Sequence, residues 1–376
     1  MLSDRKRKIL KAIVDDYIWT AEPVGSKALV TRHDLDVSSA TVRNEMGELE
    51  EMGYLEKPHK SAGRVPSDKG YRAYVDELLS VQSLPESEQK AIEASFDQNV
   101  QEITELIKSS AAILASQTDF PSIVLTPSYA DTSLQQIKIL MIEPGKALVV
   151  VVLSAGVVRD RIIRVPSEIA PEELTAIAGA IEHGLSGMKL DDITMVTVSA
   201  AAGRSEVPES LLNQILFEAY VSIKQAENID VYMEGGHQLL NQPEFQDPKT
   251  AHRVIDTISR DHLVAGYMRE LKEEESFGLE RAEVDDPLFA ECRLDKPAKK
   301  PGYVVRIGQE ISLDGLEECS FITTTYRLTD RITGRIGVVG PKRMAYGKLI
   351  SQINFFNRTL TDEIRKIAFG DEEQEE

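Results

Sequence analysis

Cysteine is nearly absent. In 376 residues only Cys292 and Cys319 occur, with no CxxC pair, so neither a disulfide framework nor a structural zinc site is suggested. Long hydrophobic runs are missing as well. The longest uninterrupted one spans 147–153, whereas a membrane-crossing helix needs about 20 apolar residues. The opening MLSDRKRKIL is charged where a signal peptide needs an apolar core, so a cytoplasmic protein without membrane association is expected. Catalytic spacings are also lacking. His183, His237, His252 and His262 form neither HxxxH nor HExxH. The glycine-rich GRIGVVGPKR at 334–343 satisfies neither GxxxxGK[ST] nor GxGxxG. No enzyme, metal or cofactor is expected.

Net basic charge is missing too: the chain carries 43 Lys or Arg against 62 Asp or Glu, a net of −19. Its distribution matters more than its sum. Residues 1–77 hold 13 basic and 14 acidic side chains, so nearly all of the excess acid lies beyond them. Between 57 and 72, Lys57, Lys60, Arg64, Lys69 and Arg72 face Asp68 alone. A localised basic patch is what phosphate contact requires, and an acidic remainder keeps DNA off every other face.

What is present around that patch has a definite order. Apolar residues at helical spacing (Ile9, Leu10, Ile13, Val14, Tyr17) predict a helix over 3–18, and Pro23 and Gly25 end it. Ser26 can cap a short helix to about 32. Ser38 or Ser39 then caps a third over 38–52, which Gly53 terminates. Short strands at 54–57 and 65–66 flank a loop, and helical spacing resumes over 68–79. Projected at 100° per residue, the third helix turns Val42, Met46 and Leu49 inward and Ala40, Arg43, Asn44 and Gly47 outward. A guanidinium and an amide on its first turns are groups that pair with guanine and adenine edges. An ordinary surface helix has the same periodicity, so the cations of the adjoining loop tilt the reading towards DNA.

Further on, 85–117 reads as one long helix or two at an angle. Strand-like runs occupy 135–164, then a helix at 171–185 and a strand at 193–199. More strands follow from 303, and a helix over 344–368. Two sets of strands so far apart suggest one α+β domain interrupted by an insertion.

The stretch GYLEKPHKSAGRVPSDKGYR, preceded by EPVGSKAL and SSATVRNEM, resembles the head of the HrcA family of heat-inducible transcription repressors. GGHQLLNQPEF (235–245), IGQE (307–310), CSFITTTY (319–326) and GPKRMAYGKLI (340–350) resemble that family's body motifs in the same order. Lys60 and Ser67 depart from the usual threonines, and 276–302 is longer than typical. The resemblance implies an α+β multidomain fold. Its parts are a winged helix-turn-helix domain at 1–80, a GAF-like antiparallel-sheet domain at 81–200 and 303–376, a mostly helical inserted dimerisation domain at 201–275, and a loop at 276–302. It implies a homodimer on double-stranded DNA carrying an inverted-repeat operator, called CIRCE, upstream of chaperone operons, with activity maintained by the GroE chaperonin. On these residues Arg43 and Asn44 are expected to read bases and Ser38, Ser39 and Thr41 to lie near the backbone. Lys27 is expected on phosphate, with His59, Lys60, Ser61 and Arg64 making the wing contact. A repressor of the same architecture that senses a small ligand in the GAF-like domain is the alternative, and an enzyme with an accessory winged helix is a second.

Overall fold

The computed structural model describes residues 2–59, 62–79, 81, 83–96, 102–127, 132–154, 157–203, 207–226, 229–271, 302–328 and 332–369. Helix α1 (Asp4–Thr20) begins where Ser3 Oγ accepts from the Lys6 amide, and it ends where Ala21 turns left-handed. Ile9, Leu10, Ile13 and Val14 are buried along its inner face. Helix α2 (Ser26–Arg32) follows, then α3 (Ser39–Glu51), capped by the Ser38 hydroxyl on the Thr41 amide. Val42, Met46 and Leu49 of α3 are buried as their spacing predicts, each worth roughly 1.5–3 kcal/mol of hydrophobic burial. Gly53 takes φ +79°, which turns the chain into β1 (Leu55–Glu56). This strand pairs antiparallel with β2 (Val65–Pro66). Ser67 then closes the motif, its hydroxyl donating to Gly53 O and accepting from the Gly70 amide at the start of α4 (Asp68–Ala73).

The segment expected to hold one helix or two holds α5 (Glu86–Ser95) and α6 (Ile103–Thr118); α5 stops where Phe96 becomes extended. Strand β3 (Ser122–Leu125), buried throughout, leads on from α6.

A separate compact unit comprises 127–230 with 327–334. Its three strands β4 (Leu134–Glu143), β5 (Lys146–Leu153) and β6 (Val158–Arg164) form an antiparallel meander in chain order. Helices α7 (Pro171–Leu185), α8 (Met195–Ala202) and α9 (Glu209–Gln225) follow. Ile137, Ile139, Val149, Val151 and Ile163 are buried on one side of the sheet, whereas Leu140, Ile142, Val158 and Ile162 are exposed. Two expectations are corrected here. The strand expected at 193–199 is helix α8: Thr194 and Thr197 cap it reciprocally, and these caps override the strand propensity of its β-branched residues. The insertion is also placed differently. Among the described residues, 135–164 form a sheet of their own, and the separate unit begins near 127, where the insertion was expected from 201.

The first unit takes in 1–126, 231–326 and 335–376. Strand β7 (Val231–Glu234) pairs with β3. Helices α10 (Pro248–Ile258) and α11 (Asp261–Glu270), strands β8 (Tyr303–Ile307), β9 (Cys319–Arg327) and β10 (Thr333–Pro341), and α12 (Tyr346–Phe369) complete it. The sheet order is β7-β3-β10-β9-β8. Ile350, Ile353, Phe356 and Leu360 of α12 are buried, with the Phe356 ring 5.1 Å from that of Phe96. Helices and antiparallel strands are thus mixed in one chain, as the α+β reading expects. The loop expected at 276–302 lies outside the described residues, apart from Gly302.

Candidate nucleic-acid interface

Helix α3 presents Arg43 and Asn44 to solvent, and neither side chain has a hydrogen bond or ion pair among the described residues. Two long polar side chains held on a helix yet unused within the fold are available to another molecule. The acids of the same helix are dealt with from behind. Glu45 is buried and accepts from Arg5 Nε at 2.7 Å, with Lys6 Nζ 3.1 Å away. Lys6 also meets Glu48 at 2.8 Å. Desolvation opposes ionisation of Glu45, but hydrogen bonds from Lys6 and Arg5 outweigh it and hold its carboxyl below the usual range. Arg5 and Lys6 therefore mask charge that would repel phosphates. Sequence reading missed that role, because the pairing partners lie about 40 positions away.

At the N-terminus of α3, Ser38 is exposed but its hydroxyl is engaged, 3.2 Å from Thr41 N and 3.0 Å from Thr41 Oγ1. Ser38 and Thr41 thus fix the helix start. Ser39 is half-buried and Lys27 is exposed on the first turn of α2. A second charged knot ties α1 to the end of α2: Asp16 receives Arg32 at 3.0 Å and His33 Nε2 at 2.8 Å.

The loop between β1 and β2 corrects one expectation. Arg64 does not extend outward: its side chain is 18% exposed and its guanidinium meets Glu50 of α3 at 2.6 Å. Its backbone exchanges two hydrogen bonds of 2.9 Å with Val24. That approach requires Gly63, where an added Cβ would lie 2.4 Å from Val24 O. Arg64 is therefore an anchor for the loop, and its charge is spent on α3. The basic patch counted from sequence shrinks in the same way. Lys69 donates to Met52 O at 2.9 Å and sits 4.4 Å over the Tyr54 ring, and Arg72 is bound to Glu310 and Asp76. Lys57 and His59 remain exposed, while Lys60 and Ser61 lie outside the described residues. The structure thus brings Lys27, Arg43, Asn44, Lys57 and His59 to exposed positions on the elements expected to meet DNA. Lys57 was legible in the charge count but not assigned a contact.

Comparison with known proteins gives this geometry its context. The family model described as "HrcA protein C terminal domain" matches residues 104–350. The heat-inducible transcription repressor HrcA of Ruminiclostridium cellulolyticum is 34% identical over 98% of this chain and 99% of its own. That of Desulfitobacterium hafniense is 36% identical over 96% and 97%. A crystal structure described only as that of a hypothetical protein covers 98% of the chain and 100% of its own at a TM-score of 0.60; its 20% identity makes this a likeness of fold. The chain belongs to the HrcA family of heat-inducible transcription repressors.

Proposed function

We propose that the chain represses heat-shock chaperone operons by occupying an inverted-repeat, CIRCE-type operator as a homodimer, with residues 1–80 acting as a winged helix-turn-helix head. The observation that carries this is the outward face of α3, where Arg43 and Asn44 stand exposed and unpaired while Arg5 and Lys6 mask Glu45 and Glu48. An N-terminal helical arginine and amide placed this way suit bidentate readout in the major groove. Lys27, Lys57 and His59 then supply phosphate contacts, with Lys60 and Ser61 assigned beside them. The capped start of α3 leaves its first amides for the backbone.

An inverted repeat requires two heads related by a two-fold axis. The open face of the β4–β6 sheet is suited to pairing two copies. Leu140, Leu148 and Ile162 lie opposite one another in register, as do Val152 and Val158. Exposed apolar rows of this kind, with Lys138 and Asp160 flanking Val150 between them, mark an interaction surface. The five-stranded sheet serves as the GAF-like body. Dependence on GroE is supported by family membership, and a cytoplasmic location by the DNA target.

Arg43→Ala is expected to weaken operator binding by about 1–3 kcal/mol and to relax specificity at one base pair. Gel shifts at fixed salt, with operator and scrambled duplexes, measure both. Equal operator affinity for the two proteins would remove Arg43 as a base reader. For the chaperonin, footprints taken with and without GroE should differ in the protein concentration needed for protection.

A further inference from the structure

The body motifs that carry the family resemblance converge on one short helix of the head. Asp68, the first residue of α4, accepts from the Gln309 amide at 3.1 Å and pairs with Lys342 at 2.9 Å. One turn on, Arg72 forks onto both Glu310 oxygens and reaches Val305 O at 2.7 Å. Glu310 is held in turn by the Ile307 amide at 2.9 Å. Between the two ion pairs, the Tyr71 ring lies 6.1 Å from that of Tyr346, whose hydroxyl is fixed by Ser320 at 2.7 Å and Lys342 O at 2.6 Å. At the end of α1, Arg343 donates to Ile18 O at 3.1 Å while Gln242 and Glu244 hold the rest of its guanidinium.

The contacts that Ile18, Asp68, Tyr71 and Arg72 make with the body join residues more than 200 positions apart, and the charged groups in them are already paired. They are also directional. A planar guanidinium fork, a carboxylate on a backbone amide and an arginine on a helix C-terminal carbonyl each constrain a different rotation. A flexible tether would need none of them. Gly308 shows how closely the surfaces meet: a Cβ there would lie 2.1 Å from Asp68 Oδ2.

We propose that this junction is a clamp fixing the head's orientation on the five-stranded body, with Arg72 and Asp68 as positioning residues for operator recognition. Neither touches DNA; together they decide whether two heads can engage two half-sites at once. The operator part of the inference rests on the paired-half-site reading above, whereas the clamp itself does not.

The test uses the full chain with spin labels at Glu51→Cys on α3 and Arg365→Cys on α12, both exposed positions, in a Cys292→Ser background. Cys319 is buried, and desolvation pushes its thiol far above the ordinary range, so it stays unlabelled. Diluted into an excess of unlabelled chain, so that a dimer carries at most one labelled protomer, wild type should give one narrow distance distribution. Arg72→Met, which keeps an apolar stem, and Gly308→Ala, which alters no charge, should both broaden it. In the same variants, affinity for a single half-site should change by less than twofold, while affinity for the inverted repeat falls at least tenfold and tolerates altered spacing. A distribution as narrow in both variants as in wild type overturns the clamp. Half-site and inverted-repeat affinities that fall together, or an inverted-repeat affinity that does not fall, overturn the positioning role. Wild type binding the inverted repeat no better than a half-site defeats the paired-half-site reading instead, and the label distances then judge the clamp alone.

Discussion

Aspartate at both Leu140 and Ile162 is expected to leave a folded monomer whose operator affinity is about 10²–10⁴-fold lower than that of the dimer, the factor lost when two linked binding events become one. The two residues are 50% and 57% exposed and flank Leu148 on the central strand, each directly opposite it. A one-sided sheet normally alternates polar side chains onto its open face. Here that face carries leucine, isoleucine and valine, with Lys138 and Asp160 facing Val150 in the neighbouring row. Two copies meeting there would bury the aliphatic rows. A carboxylate at each position would have to lose its hydration without a partner, at a cost of several kcal/mol. The buried side of the same sheet is untouched by the substitutions, so the monomer should melt close to wild type. Sedimentation at micromolar concentration and gel shifts on the inverted repeat provide the readout. A double variant that stays dimeric with unchanged operator affinity would locate the pairing surface elsewhere.

The head was legible because its determinants are local. Ser38 and Gly53 bracket α3 within a residue of the expected ends, and its inner residues follow the helical period. Exposure of Arg43 and Asn44 follows from that projection alone. Arg64 was not legible, since its partner Glu50 is reached only once the hairpin folds back along α3. Cation counting cannot separate a guanidinium that points outward from one spent on a neighbour. The strands of 135–164 were recognisable as strands, but alternation in sequence says which face is buried and not which sheet a strand joins. The separate unit therefore became visible only through its pairing. In the body, the motifs IGQE and GPKRMAY could be noticed and placed in a family. Their engagement with Asp68 and Arg72 is a tertiary fact that no periodicity encodes.

Gly63→Val is expected to destabilise the head by about 3 kcal/mol, through overpacking and the loss of two backbone hydrogen bonds, and to lower operator affinity about a hundredfold. The β-carbon added at this position would stand 2.4 Å from Val24 O, 2.6 Å from Val24 C and 2.8 Å from Pro23 C. All three are backbone atoms, so no rotamer change relieves the clash. Something must move, and the element that can move is the loop. Its departure breaks the Val24–Arg64 bridge and withdraws Arg64 from Glu50, which leaves a carboxylate unmasked at the end of α3. The phosphate contact proposed for His59 would be displaced by the same shift. The α3 face itself is unaltered, so the residual binding should keep its base preference while losing affinity. Gly47→Ala is the matching control: a Cβ there meets nothing within 4 Å, and alanine favours a helix interior by up to about 1 kcal/mol over glycine. It should raise the melting temperature of the free protein, whereas Gly63→Val lowers it. Thermal melting with gel shifts at two salt concentrations tests both. If Gly63→Val melts with wild type and binds the operator within twofold of it, the loop is not anchored through Val24, and Arg64 returns to the set of residues free to meet DNA.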